Sequence, residues 1–131
     1  MKVVALIKAI PDLSQVRYSK SERKLYEKVD RILAPVSENV LESARQLKEA
    51  VSGSLSIGLL LGNATDEGAL KKALAFGLDQ AVMVLGAVDS YDHIVRARIL
   101  NAAIEKIGAV DALIVGGATG MGGGGQTGVR V

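Results

Sequence analysis

The chain has 131 residues, 49% of them apolar, no cysteine, and a formal net charge of +2. That length and apolar content specify one packed domain and not a disordered chain, and the missing cysteines exclude disulfides, thiolate metal sites and a thiol nucleophile. Basic and acidic residues alternate between Arg17 and Arg31, unlike the one-signed stripe of a nucleic-acid surface. No apolar run approaches the roughly 18 residues of a membrane span. The N-terminal MKVVALIKAIPD is charged too early for a secretory signal, so a cytoplasmic protein is the expectation. With four aromatic residues, Tyr18, Tyr26, Phe76 and Tyr91, the core must be aliphatic.

Val3 to Ile10 is a nearly unbroken β-branched and aliphatic run, the pattern of a parallel strand covered on both faces, and Pro11-Asp12 ends it. Residues 13–34 are polar, with a short strand pair expected around Val16–Tyr18 and Lys24–Tyr26. Pro35 opens a helix, since its first turn needs no N–H. Val40, Leu41, Ala44, Leu47 and Val51 form the apolar stripe of that helix, and Gly53 stops it. Leu55 to Leu61 is a second buried strand. Thr65 is the expected N-cap of the next helix, whose buried stripe is Ala69, Leu70, Ala73, Leu74 and Phe76, with Gly77 as its stop. Gln80 to Leu85 is a third strand. Asp89 or Ser90 is expected to cap a third helix that buries Val95, Ile99, Ala102, Ala103 and Ile107 and ends at Gly108. Asp111 to Val115 is the fourth strand.

Strand and helix alternate, and right-handed crossovers then give an α/β domain with a parallel sheet. Ligands bind such sheets beyond the carboxyl ends of the strands where the winding reverses. If strand four returns beside strand one, the Lys8-Ala9-Ile10-Pro11 end faces the segment after Val115. That segment is a glycine cluster: Gly116, Gly117, Gly120, Gly122, Gly123, Gly124, Gly125 and Gly128. Each glycine ordered on folding loses more backbone entropy than any other residue, so the cluster needs a cause. Either the segment is a disordered tail, or it is a loop that lets backbone N–H groups approach an anion. The strand ahead of it and Gln126-Thr127 behind it favour the loop.

Four blocks, in order, resemble the electron-transfer flavoprotein β-subunit. VVALIKAIPD resembles the family's opening V-K-x-x-P-D, and LAPVSENVLESARQLKEA its N-P-x-x-E-x-x-x-E-x-A-x-x-L-K-E segment. ALKKALAFGLDQAVMV resembles its A-L-A-x-G-A-D block, and VDALIVGG leads into a loop ending G-Q-T-G. The resemblance implies a three-layer α/β/α fold, Rossmann-like and adenine nucleotide hydrolase-like, with an open, mainly parallel sheet. It implies a subunit that binds an adenine nucleotide, AMP or FAD, and pairs with an electron-transfer flavoprotein α-subunit to carry electrons from dehydrogenases to an acceptor. It implies no bond chemistry of the chain's own.

Carried over residue by residue, the implied cofactor-binding positions begin with Leu6, Lys8, Ala9 and Ile10 at the end of strand one. Pro35, Val36, Ser37 and Glu38 form a second wall, and Gly62 follows strand two. Gly116, Gly122, Gly123, Gly124, Gly125, Gln126, Thr127 and Gly128 form the phosphate loop. The chain departs from the pattern at Ala34, where the family has asparagine. Met121 replaces an aspartate, and Gly124 and Gly125 replace side chains ahead of Gln126. Backbone cradling survives these changes, whereas side-chain readout of ribose or base is reduced. The family's β-subunit continues beyond this point, so residues 1–131 are expected to form a single domain truncated after the fourth main strand, either part of an incomplete β-subunit or a stand-alone remnant of the fold. Contact with dehydrogenases is then expected to reside in the missing C-terminal part, and self-association at the unpaired sheet edge is expected.

The remaining chemistry-bearing residues have plainer readings. His93, the one histidine, reads as a surface or capping residue, and Lys8 as an ion pair with Asp12 or a phosphate contact. Asp89 and Asp92 read as helix capping, with no third ligand for a metal. There is no Ser/His/Asp set and no lysine following the glycines. Two other functions fit an α/β nucleotide domain. One is a sensor or stress-type domain that associates on binding a nucleotide. The other is an ATP-using hydrolase-type enzyme, which would need a Ser/Gly run after strand one that VVALIKAIPD lacks.

Overall fold

The computed structural model describes residues 1–15, 17–22, 24–26, 30–87, 91–117 and 126–131, with the side chains of 24–26 and 126 outside that description. Four parallel strands form the sheet: β1 (Lys2–Ile7), β6 (Leu55–Gly62), β7 (Gln80–Leu85) and β8 (Ala112–Ile114). Their order is β7-β6-β1-β8. Helices α1 (Pro35–Ala50), α2 (Glu67–Ala75) and α3 (His93–Ile107) make the crossovers, and a short α4 (Gln126–Arg130) follows β8. Two antiparallel ribbons lie outside the sheet: β2 (Ala9–Pro11) with β5 (Arg31–Leu33), and β3 (Arg17–Ser19) with β4 (Lys24–Tyr26). Among the described residues no helix is long and apolar enough to cross a membrane.

The period of two along β1 sorts the core into two layers. Val3, Ala5 and Ile7 pack with Val40, Leu41 and Ala44 of α1 and with Ala69 and Ala73 of α2. Val4 and Leu6 pack on the other side with Ile57, Leu59 and Leu61 of β6 and with Leu100 of α3. β1 pairs with β6 from Lys2↔Leu55 to Ile7↔Leu60 and with β8 from Val3↔Ala112 to Ala5↔Ile114. Gly58 sits opposite Ala5, where an added Cβ would lie 3.2 Å from Leu78 Cδ1 and 3.6 Å from Ala73 Cβ. Its small size lets α2 and the turn after it approach the sheet closely.

Several expectations shift. The run expected as one strand from Val3 to Ile10 divides at Lys8, because α1 captures the Lys8 backbone. The Lys8 N–H donates to Ser37 Oγ at 2.9 Å, and the Ala34 N–H donates to the Lys8 carbonyl at 2.8 Å. Thr65 is not the N-cap of α2: that position is Asp66, which makes no side-chain cap bond, and Asn63 caps the short 3-10 turn ahead of the helix, its side chain accepting from the Thr65 N–H at 2.9 Å while Asp66 Oδ2 accepts from the Asn63 N–H at 3.0 Å. Asp92 caps α3, accepting from the Val95 N–H at 2.8 Å, while Asp89 and Ser90 lie outside the described residues. Val51, Leu74, Val95 and Ala102 are exposed, not buried. Each sits at the margin of its stripe or past the helix end, where a wheel of 3.6 residues per turn assigns the side only loosely. The three stops hold: Gly53, Gly77 and Gly108 have φ of +77°, +102° and +83°.

One polar knot ties the sheet to the turn before β7. Ser56 is fully buried, and both its N–H and its hydroxyl donate to Asp79 Oδ2, at 2.8 and 3.1 Å. Lys48 Nζ of α1 reaches Asp79 Oδ1 at 2.6 Å. The Lys48 ammonium and then the Ser56 amide hold the Asp79 carboxyl below its ordinary value. A depressed folded-state value means stability that is complete above the unfolded aspartate range and is lost as pH falls through the lower folded value. Asp79→Asn should therefore destabilise the chain by about 1–2 kcal/mol near neutrality. Urea unfolding of the two proteins should converge as the pH is lowered into the acid range, and an undiminished gap at low pH would contradict the electrostatic account.

Candidate functional site

The winding runs outward from β1 through β6 to β7 and returns to β8 on the other side of β1. The reversal therefore lies between β1 and β8, and their carboxyl ends open one crevice. Three elements converge there. The Lys8–Pro11 segment leaves β1, residues 115–117 leave β8, and the first turn of α1 lies against both. An added Cβ at Gly116 would fall 2.9 Å from Val36 Cγ2, so the α1 start touches the beginning of the glycine loop. α4 packs back on the strand end, because a Cβ at Gly128 would fall 3.0 Å from Val115 Cβ.

The backbone at the end of β1 is largely committed. In the β2–β5 ribbon, Ile10 faces Ile32, and the Lys8–Ala34 and Asp12–Asp30 bonds bracket it. Hydrogen-bonded pairs alternate along an antiparallel ladder, so the Ala9 N–H and carbonyl stand outside it. The carbonyl accepts from Arg31 Nη2 at 3.2 Å. Ala34, which has no side-chain cap to offer, is ordered instead by its own amide and by the buried Ser37. Pro35 needs no N–H, and the Ser37 N–H takes the Ala34 carbonyl at 2.9 Å. Asp12 turns to Ser14 and Gln15, with Oδ1 accepting the Ser14 hydroxyl at 2.7 Å and Oδ2 the Gln15 amide at 3.2 Å.

The candidate residues divide accordingly. Lys8 and Ala9 lie at the β1 exit, Pro35 and Val36 at the α1 start and Gly116 at the β8 exit, while Ile10 pairs with Ile32 in the ribbon and Thr127 lies in α4 with its hydroxyl oxygen beside His93. Leu6 packs on the α3 side of the sheet. The Ser37 hydroxyl oxygen accepts from Lys8, and Glu38 turns to α2, where Lys72 Nζ lies 2.5 Å from its Oε1. Gly62 is small for a local reason: a Cβ there would run into Asp66 Oδ2. Gly122, Gly123, Gly124 and Gly125 lie outside the described residues, as does the Gln126 side chain.

Four residues have a place here that their sequence surroundings do not announce. Asp66 is fully buried, its Oδ1 pairs with Arg31 Nε at 2.9 Å, and Arg31 continues to the Ala9 carbonyl. Arg31 thereby braces the exits of both β1 and β6. Asn63, three residues ahead of Asp66, completes a reciprocal cap, and its spacing is the one signal that could have found the pair. His93 is half-buried, and its Nδ1 lies 3.3 Å from Thr127 Oγ1, a contact across 34 residues that no local pattern reveals.

Elsewhere, an apolar groove of about 660 Å³ runs between Val82, Met83 and Val84 of β7 and Ile99, Ala103 and Ile107 of α3. It opens on the free edge of the sheet, and none of the candidate crevice residues lines it. Among the described residues no three His, Asp or Glu side chains gather to hold a metal.

Fold and crevice together define an open parallel α/β domain with a crevice at its winding reversal. Residues 24–131 match the electron transfer flavoprotein domain, and the chain belongs to that family. It is 35% identical over 108 residues to the electron transfer flavoprotein subunit beta of Thermoanaerobacterium thermosaccharolyticum, covering 81% of this chain and 41% of that protein. It is 32% identical to protein FixA of Azotobacter vinelandii, covering 82% of this chain and 38% of FixA. Its identity to the caffeyl-CoA reductase-Etf complex subunit CarD of Acetobacterium woodii is 28%, covering 88% of this chain and 45% of CarD. The chain thus spans less than half the length of these relatives.

The brace at the strand exits constrains Gly62. Gly62→Ala forces its methyl into the Asp66 carboxylate, while Asp66→Ala strips the partner from Arg31 and should cost about 3 kcal/mol or more. In the Asp66→Ala background the penalty of Gly62→Ala should fall steeply, because the nearest remaining Asp66 atom, Cβ, lies at 3.3 Å. Urea unfolding of the four proteins measures the coupling, and additive costs would refute the shared contact.

Proposed function

We propose that this chain is the nucleotide-binding part of an electron-transfer flavoprotein β-subunit. It holds an adenine nucleotide, AMP or FAD, in the β1/β8 crevice. With an α-subunit, it passes electrons from dehydrogenases to an acceptor. The observation that carries this reading is the convergence of the β1 exit, the α1 start and Gly116 at the winding reversal. Family membership supplies the electron-transfer context. The CarD relative is named as a subunit of a reductase-Etf complex, which fits a chain that works inside an assembly.

The residues present fit an adenine nucleotide. The Ala9 N–H stands outside its ladder, as an edge for a planar base requires. In the first turn of α1, Pro35 has no N–H and the Ser37 N–H is taken by the Ala34 carbonyl, which leaves the Val36 N–H as the donor that no side-chain cap takes. Thr127 adds a hydroxyl, and at Gly117 an added Cβ meets nothing within 4 Å. The flavin, when bound, supplies the electron chemistry. The chain's own residues bind and orient, and none is placed to make or break a bond.

Two glycines separate ligand effects from packing effects. Gly116→Ala must displace Val36 and should lower stability by about 1–2 kcal/mol. Gly117→Ala should leave the melting temperature unchanged while weakening AMP or FAD binding roughly tenfold, the loss of about one charge-assisted N–H contact. Calorimetric titration reads the affinity, and the visible spectrum of the purified protein separates flavin from AMP. Unchanged binding in Gly117→Ala, or no binding by the parent, would remove the support for the crevice as a nucleotide site.

A second test addresses assembly. The chain alone should not reduce or oxidise an electron-transfer partner, and it should do so only with an α-subunit added. Steady transfer by the isolated 131 residues, followed by absorbance of the acceptor, would overturn this reading.

A further inference from the structure

The apolar groove between β7 and α3 lies apart from the crevice, and a single charge borders it. Ala102 and Lys106 complete its lining, so seven of its eight residues are apolar and the eighth is a lysine. We infer that this groove is a second binding site, for an aliphatic carboxylate whose chain lies along α3 and whose head group meets the Lys106 ammonium. The inference stands independently of the nucleotide reading.

Size and composition point to a small molecule. Small-molecule sites occupy roughly 300–1,000 Å³ and are mostly apolar, with a few placed polar groups; the groove, at about 660 Å³ with one lysine, fits both criteria. Val82, Val84, Ile99, Ala103 and Ile107 pack on the core yet are only half-buried. Part of their apolar surface is therefore left to water, and a bound hydrocarbon chain would remove it. From Ile99 to Ile107 the helix advances about 12 Å at ~1.5 Å per residue, room for a chain of about ten carbons.

Charge selects the head group. A basic residue in the last turn of a helix ordinarily serves its open carbonyls. At the end of α3 the Gly108 N–H takes those of Ile104 and Glu105, and Lys2 Nζ takes that of Ile107 at 3.2 Å. Three and four residues before Lys106 stand Ala103 and Ala102, so its own helix offers no carboxylate at pairing distance. Among the described residues Lys106 makes no hydrogen bond or ion pair, and an anion at the groove mouth would complete it. A second copy of the chain fits less well. A twofold contact sets a patch against itself, which would bring two lysines into an interface whose lining holds no carboxylate for either. The eight lining residues also fall short of the roughly 20–30 a side that a stable protein interface uses.

The probe is decanoate, titrated by calorimetry at neutral pH into the 131-residue chain below the concentration at which decanoate forms micelles. It should fill one saturable site. Lys106→Met keeps a side chain of similar length and removes its charge, so it should bind decanoate about tenfold more weakly, the loss of one charge-assisted contact. Both proteins should bind 1-decanol, which has the chain without the charge, with equal affinity. Ala102→Phe, at an exposed position, places a ring in the groove and should abolish binding of both compounds. Thermal melts confirm that each variant is folded. If a variant does not fold, the parent decides: its affinity for decanoate should fall as salt is raised, and its affinity for 1-decanol should not. Absence of decanoate binding by the parent, uptake that never saturates, or a Lys106→Met loss that is nil or shared equally by 1-decanol overturns the inference. So does a dimer in sedimentation that Ala102→Phe disperses and decanoate does not, which would assign the groove to a second copy.

Discussion

Everything in this domain is referred to β1. It has partners on both edges, β6 on one and β8 on the other, and its Val3, Val4 and Ala5 are completely buried. Its alternating side chains divide the core into an α1–α2 layer and an α3 layer. Because β6 and β8 approach it from opposite directions of winding, the same pairing that builds the core also opens the crevice. Stability and site are thus two consequences of one register. The site cannot be moved along the sheet without undoing the core.

A parallel sheet delivers every strand to the same end, where the chain must turn without burying unpaired backbone. The exits of β1 and β6 solve this with side chains. Ser37 takes the Lys8 amide, Arg31 takes the Ala9 carbonyl, and Asp66 joins Arg31 to the Asn63 amide. Close approach of these groups uses up the space at Gly62. At the exit of β8, Gly116 and Gly128 are likewise filled, by Val36 and Val115. Glycines that look alike in a sequence therefore do two kinds of work. Some admit the protein's own neighbours, and an added Cβ at Gly117 meets none of the described residues within 4 Å.

The architecture is legible in the sequence because it rests on periodicity and punctuation. The four strands, three long helices and their glycine stops can be argued from apolar runs and from Gly53, Gly77 and Gly108, whereas the return of the last strand beside the first is a matter of strand order that no local pattern fixes. Expectation and structure part where a side chain from afar decides a local matter. Lys8 ends β1 because Ser37 lies over it, and α3 starts one residue beyond Asp92, with no pattern to choose among Asp89, Ser90 and Asp92. The candidate crevice is legible as a stretch of chain, not as a division of labour. Nothing in SENV shows that Ser37 turns inward while Glu38 turns to Lys72, and nothing local brings Arg31 to Asp66 or His93 to Thr127.

That division of labour bears on where the charged side chains around the crevice are spent. The α1 start is led by Ala34 and Pro35, neither of which offers a charged group, and Glu38, the acidic residue of that first turn, is drawn off by Lys72. Arg31 is spent on Asp66 and a carbonyl. Thr127, in α4, turns its hydroxyl oxygen to His93. Arg31, Asp66 and Glu38 are thus committed to structural pairs that hold the turns at the strand exits.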